Sequence, residues 1–220
     1  MSESSPRARD TRRQIIEAAD RAVRTKGLLG ASTREIAREA GVADGTLYVH
    51  FADRIELFLA LLTEYLPPFV EPLRRLQSLV GRRTVRLNLK DVLEGALAWH
   101  AKILPLFSAL AADPPLLKAF QARLAERNEG PHLSLQAIEG YLRAEQEAGR
   151  VHSEANPRAA AILLLGASQY WTSVVQNVGT DLGFSREEFL KQVIHSIMVG
   201  LQSSERRSGH QQQDLPTAPR

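Results

Sequence analysis

Six histidines and 25 carboxylates are spread over a 220-residue chain that has no cysteine. Their spacing builds none of the constellations that catalysis needs. No H-E-x-x-H sets two imidazoles one helical turn apart, no G-x-S-x-G presents a nucleophile, and no glycine-rich loop can cradle a phosphate. Without cysteine there is no thiol nucleophile, thiolate metal site or disulfide framework. His100 and His195 read as core or surface histidines rather than general bases, so the expectation is a protein that is not an enzyme and carries no cofactor or metal. The residues that do imply a chemistry lie in Ser32 to Phe51, STREIAREAGVADGTLYVHF. Ser32 and Glu35 stand at capping-box spacing. Ile36, Ala37 and Ala40 give a short helix one apolar stripe, Gly41 suits a left-handed helix end, and Val42 packs inward. A second helix is expected from about Asp44 to His50. Two short helices joined by a glycine turn make a helix-turn-helix, whose second helix can enter the major groove of DNA.

The motif needs elements that hold it. Ahead of it, Ile15, Ile16, Ala19, Ala22 and Val23 recur at helical spacing in a helix capped by Asp10 or Thr11 and closed at Lys26-Gly27. After it, Asp53 and Glu56 form a second capping box, and Leu57, Phe58, Leu61, Leu62 and Tyr65 make an apolar face that Pro67-Pro68 terminates. The order Thr33, Ile36-Ala37, Ala40-Gly41-Val42, Gly45-Thr46-Leu47-Tyr48, His50-Phe51 resembles the DNA-binding domain of the TetR family of bacterial regulators, over about Thr11 to Tyr65. The resemblance implies that Thr33, Tyr48, His50 and Arg54 meet phosphates and that Arg34, Asp44, Gly45, Thr46 and Val49 face base edges. Arg34 suits guanine O6 and N7, and Val49 suits a thymine methyl. Two positions depart from the family's habit. Ala43 stands where a serine cap is common, so Asp44 is expected to cap the second helix; its other reading is an acceptor for cytosine N4. Leu28 holds a place usually aromatic, and is expected to fill the same core pocket less completely.

Four segments are expected: a disordered basic arm over 1–9, the DNA-binding domain over 10–66, a helical domain over 67–203 and a disordered tail over 204–220. Arg7, Arg9, Arg12 and Arg13 make the arm basic; it either touches DNA or is a solvated tail. The fold class is all-α. The second domain reads as helices over about Phe69–Leu79, Leu89–Ala112 with a kink at Pro105, Asp113 onward, Leu133–Ala148, Asn156–Val178 and Ser185–Gln202. The net charge of +3 means that any DNA-binding charge is local. No apolar run reaches the roughly 18 residues of a membrane span, and no apolar leader follows the N-terminus, so a cytoplasmic protein with no membrane partner is expected.

By the same resemblance the second domain holds an unidentified, largely apolar effector. Trp99, His100, Ile103, Phe107, Phe120, Tyr141, Gln169, Tyr170 and Trp171 are the candidate lining; for any one of them ordinary core packing is the competing reading. Pro105 and its neighbours are expected to pass the effector's presence to the helix that begins at Asp53. The last two helices carry stripes through Leu163, Gly166 and Tyr170 and through Phe189, Val193, Ile197 and Leu201, expected to pair with a second copy in a homodimer. The function implied is a ligand-responsive repressor of a palindromic double-stranded DNA operator. The alternative is a helical small-molecule binding protein or enzyme with a vestigial helix-turn-helix.

Overall fold

The computed structural model describes residues 6–201; within them the side chains of Leu28, Leu29, Ala109, Gln176 and Asn177 fall outside the description. The pocket expected for Leu28, the first residues of the basic arm and the tail over 204–220 therefore lie outside the described residues. Among the described residues are ten α-helices, α1 (Pro6–Gly30), α2 (Thr33–Glu39), α3 (Asp44–His50), α4 (Arg54–Tyr65), α5 (Pro67–Leu76), α6 (Val85–Ala111), α7 (Pro114–Glu126), α8 (Pro131–Glu147), α9 (Pro157–Trp171) and α10 (Arg186–Leu201), with a 3-10 turn over Gln77–Leu79 and a π-helical stretch over Thr172–Val178. No strand occurs among the described residues.

Local chemistry sets most boundaries. Asp113 accepts from the Leu116 amide, Asn156 from Ala159 and Ser185 from Glu188, each satisfying a donor of the first turn. Proline opens α5, α7, α8 and α9, where its missing N–H costs nothing. Several boundaries differ from the sequence expectation, among them the Val85 start of α6 and the change from α- to π-helix after Trp171. α1 starts at Pro6, so Arg7 and Arg9 are helical; a proline at the first helical position is a favourable start that the disordered-arm reading overlooked. α1 also resumes beyond Gly27, which takes φ +72° and joins two helical stretches at a kink. α6 is continuous from Val85 to Ala111, and the exposed Pro105 does not divide it.

Three cores organise the helices. The first joins Ile15, Ala19 and Ala22 of α1 to Ile36 and Ala37 of α2, Leu47 of α3 and Leu57 and Leu61 of α4. The second and largest lies among α5, α6, α8, α9 and α10. The third sits between them: Phe58, Leu59 and Leu62 of α4 meet Ile103, Leu106 and Leu110 of α6 and Phe120 of α7. Every residue of α4 from Leu57 to Leu62 is consequently buried, and the helix belongs to both halves. α5 and α6 approach closely at Gly95, where a Cβ would stand 2.4 Å from the Pro68 carbonyl oxygen.

Candidate nucleic-acid interface

The reading unit is fastened to α1 from both ends. The Ser32 hydroxyl accepts from the Glu35 amide at 3.2 Å, and the Glu35 carboxylate accepts from the Ser32 amide, so the capping box is complete. Glu35 also pairs with Lys26 at 2.6 Å; Lys26 and the Ser32 backbone hold its carboxyl below the usual range. At the far end of α2, Arg21 pairs with Glu39 at 2.8 Å. Gly41 then takes φ +70°, and the Val42 amide reaches back to the Ala37 carbonyl at 3.0 Å, closing α2 as its glycine requires.

α3 is divided by its period. Leu47, with Phe51 just beyond the helix, is buried in the first core, whereas Val49 is 82% exposed and Tyr48 53%. The Tyr48 hydroxyl and the Thr33 hydroxyl are 3.1 Å apart, so two groups expected at phosphates are joined across the turn. Arg34, on α2, faces Asp44, on α3, with Nε 3.5 Å from Oδ2. Gly45 opens outward with nothing near the position of a Cβ, and Thr46 and His50 are half-buried. The expected capping role of Asp44 is corrected. Ala43 is the cap residue, extended at ψ 148° and with no side-chain acceptor, so Asp44 is already the first helical residue and its carboxylate turns to Arg34. Arg12 completes the unit with its guanidinium 5.0 Å from the centre of the Phe51 ring.

This geometry agrees with what the chain is similar to. Residues 15–61 match the family model described as bacterial regulatory proteins, tetR family. The chain is 29% identical over 130 residues to the fatty acid metabolism regulator protein of Bacillus subtilis, and 47% identical over 55 residues to the transcriptional regulator TtgR of Pseudomonas putida. Over residues 15–61 the chain resembles the tetR family of bacterial regulatory proteins. The matches span 59% and 25% of this chain, and 61% and 26% of those two relatives. Solved TetR-family structures share the fold over nearly the whole chain. One from Mesorhizobium loti superposes with a TM-score of 0.69 at 22% identity, covering 90% of this chain and 98% of that one. NalD, the secondary repressor of the MexAB-OprM multidrug efflux pump in Pseudomonas aeruginosa, gives 0.62 at 22% identity, covering 88% and 98%.

Arg54, expected at the phosphates with the other TetR positions, is drawn elsewhere. Its guanidinium lies 5.1 Å from the centre of the Phe58 ring; burial lowers its pKa and the charge of Asp113 opposes that shift. It therefore sits at the junction between the halves. The second capping box is only half formed there. Asp53 accepts from the Glu56 amide at 2.8 Å, but the Glu56 carboxylate is taken by Arg127 and Arg123 of the α7 region, which hold its pKa down. Arg123 also reaches Asp53 at 3.3 Å. Sequence reasoning missed Arg123 and Arg127, since partners about seventy residues apart leave no local pattern.

The candidate effector residues do not converge. Trp99 stacks on Phe69 at 5.1 Å and adjoins His100, whose Nδ1 is 2.9 Å from the Ser168 hydroxyl. Ile103 and Phe120 belong to the junction core, where Phe107 meets Phe120 edge-on at 5.9 Å. Tyr141 is buried in the second core, against which Trp99 also packs, and its hydroxyl accepts from Asn88 at 2.8 Å. Trp171 stacks on Phe189 at 4.2 Å, while Gln169 and Tyr170 point outward. Two clefts instead flank Arg86 at the start of α6: one of about 370 Å³ shared with Arg150 and Met198, and one of about 490 Å³ shared with the first turns of α10. The dimer stripes also divide. Leu163, Gly166 and Tyr170 of α9 are exposed, with Ile162 beside them. On α10, Ile197 and Leu201 are buried and Phe189 and Val193 half-buried against α6 and α9, because that stripe fills the subunit's own core. The exposed residues of α10 include Gln192, His195, Ser196, Val199 and Gly200.

Proposed function

We propose that the chain is a cytoplasmic, non-enzymatic repressor that binds a palindromic DNA operator as a homodimer and is released by a small, largely apolar effector. The observation that carries this reading is the exposed side of α3. Val49 and Tyr48 are large, outward-facing and unused by the core, on a helix pinned at both flanks. An apolar residue held in water on a rigid helix is suited to a thymine methyl or a sugar. Thr33 and Tyr48 supply hydroxyls for phosphates, and Arg7, Arg9, Arg12 and Arg13 along α1 supply local positive charge. The dimer uses the exposed face of α9 through Leu163, Gly166 and Tyr170, with Val199 and Gly200 of α10.

The effector site is centred on Trp99 and His100 rather than on the wider aromatic set. The Trp99 indole N–H is buried with no hydrogen-bond partner among the described residues. Beside it His100 is neutral at pH 7, since burial pushes its pKa to about 4. Apolar walls with a few convergent polar atoms are what a small-molecule site requires. The Bacillus subtilis relative is named for fatty acid metabolism and NalD for control of a multidrug efflux pump, so acyl compounds and apolar drugs are the first probes. An occupant here would displace α6, whose Ile103 and Leu106 touch Phe58 and Leu62 of α4. It can shift the reading heads only by its differential affinity for the two arrangements.

The test is footprinting of the purified protein on its own upstream region across a range of salt. A protected palindrome, with affinity falling steeply as salt rises, is expected. Equal, weak binding to every sequence would instead favour a small-molecule binding protein whose helix-turn-helix is vestigial.

A further inference from the structure

The Arg34–Asp44 pair has a consequence for sequence preference, resting on the reading of α3 as the DNA-reading helix. A carboxylate at the first position of such a helix repels phosphates and takes one unit of positive charge away from the surface where binding needs it. Asp44 makes no capping bond, and its structural contribution is confined to that of a first-turn carboxylate in the helix dipole. What it does is meet Arg34 across the turn, through Nε. The side chain of Arg34 is 88% exposed and has no other ion-pair partner among the described residues, so without Asp44 it would sample many rotamers. Pairing through Nε leaves the two terminal amino groups without an ion-pair partner among the described residues, and so available to a base. Guanine is the base whose O6 and N7 accept two such donors.

We infer that Asp44 is a positioning residue that holds Arg34 by its Nε for readout of one guanine in each half-site, and that the pair confers discrimination rather than affinity. The pair is close to neutral as a unit, so it adds little to general attraction for phosphates. An Arg34 held in place spends less conformational freedom on reaching the base. Asp44 also disfavours binding at sites where no guanine engages the arginine.

The experiment is selection of bound sequences from a random duplex library by the full chain, followed by titration of the selected site and single-base variants. The wild type is expected to select a guanine that Arg34→Ala no longer prefers, with a loss of roughly five- to 150-fold in discrimination. Asp44→Ala should relax preference at that same base pair by roughly two- to fivefold while binding non-specific DNA more tightly. The double variant should discriminate no worse than Arg34→Ala alone. Asp44→Asn, which keeps the shape and one acceptor, should recover part of the preference and guards against misfolding of the alanine variant. Three results overturn the inference: unchanged preference in Asp44→Ala, additive losses in the double variant, or relaxation at a different base pair, which would make Asp44 a direct reader of cytosine. A wild type that selects no sequence at all would remove the DNA-reading function itself, and is distinguishable from all three.

Discussion

The reading surface and the core of the larger domain use the same residue types in opposite ways. On α3, Tyr48 and Val49 are left in water by a helix of seven residues, fixed by ion pairs and a capping box at its neighbours. In the larger domain, Trp99, Phe120, Tyr141 and Trp171 are turned inward and packed on four different partners. Under the proposed function, Tyr48 and Val49 are kept exposed and close in sequence so that they remain free for DNA. The aromatics of the larger domain are instead distributed through its packing, against partners far apart in sequence. α4 is where the two logics meet, with Leu57 and Leu61 in one core and Phe58 and Leu62 in another.

The largest contrast is expected between two glutamate substitutions in the last two helices. Ile197→Glu buries an unpaired carboxylate and should destabilise the fold by roughly 4 kcal/mol or more. Leu163→Glu, at a residue 62% exposed, should leave a folded chain and yield monomers. Thermal melting with sedimentation separates the outcomes, and a folded Leu163→Glu dimer would move the interface away from α9.

Next in size is the acid limb of stability. His100 has its folded pKa depressed to about 4 by burial, below its ordinary 6.5. The unfolded chain therefore binds the extra proton first as pH falls. Stability is unaffected by this group above pH 6.5, begins to fall there, and loses roughly 3 kcal/mol by pH 4. His100→Asn should flatten that part of the profile in denaturant titrations. An unchanged slope would mean that His100 titrates normally and is solvated.

Smaller still is the effect of the junction charges. Arg123→Ala leaves Glu56 with Arg127 alone and frees one side of the contact between α7 and the start of α4. Stability should fall modestly and in a salt-dependent way, because these groups are partly solvated. The more sensitive readout is the coupling between effector and operator binding, which should weaken; identical coupling in wild type and variant would confine the junction to a structural role. The smallest expected change is in the stability of Val49→Ala, within about 0.5 kcal/mol, because the side chain touches nothing the fold depends on. Operator affinity should nonetheless drop, which isolates recognition from folding at one residue.

Ser32, Gly41, Asp113, Asn156 and Ser185 act within three or four residues of themselves, so the sequence alone determined the helix ends that they cap and the turn between α2 and α3. The helical period of α3 likewise puts Leu47 on the opposite side from Tyr48 and Val49. Tertiary structure decided everything that depends on which of two available partners wins. The stripe through Val193 and Ile197 suits a second copy or the subunit's own core equally well in sequence, and only the placement of α6 and α9 assigns it inward. Glu56 stands at capping-box spacing from Asp53, yet two arginines brought from α7 outcompete the cap's backbone amide, since a charged partner forms the stronger hydrogen bond. Arg54 is the first residue of α4, yet the Phe58 ring and Asp113 claim it for the junction. Backbone hydrogen bonds and caps are satisfied within a turn and are written locally; side chains that reach across seventy residues are placed by the packing of whole helices, which no local pattern encodes.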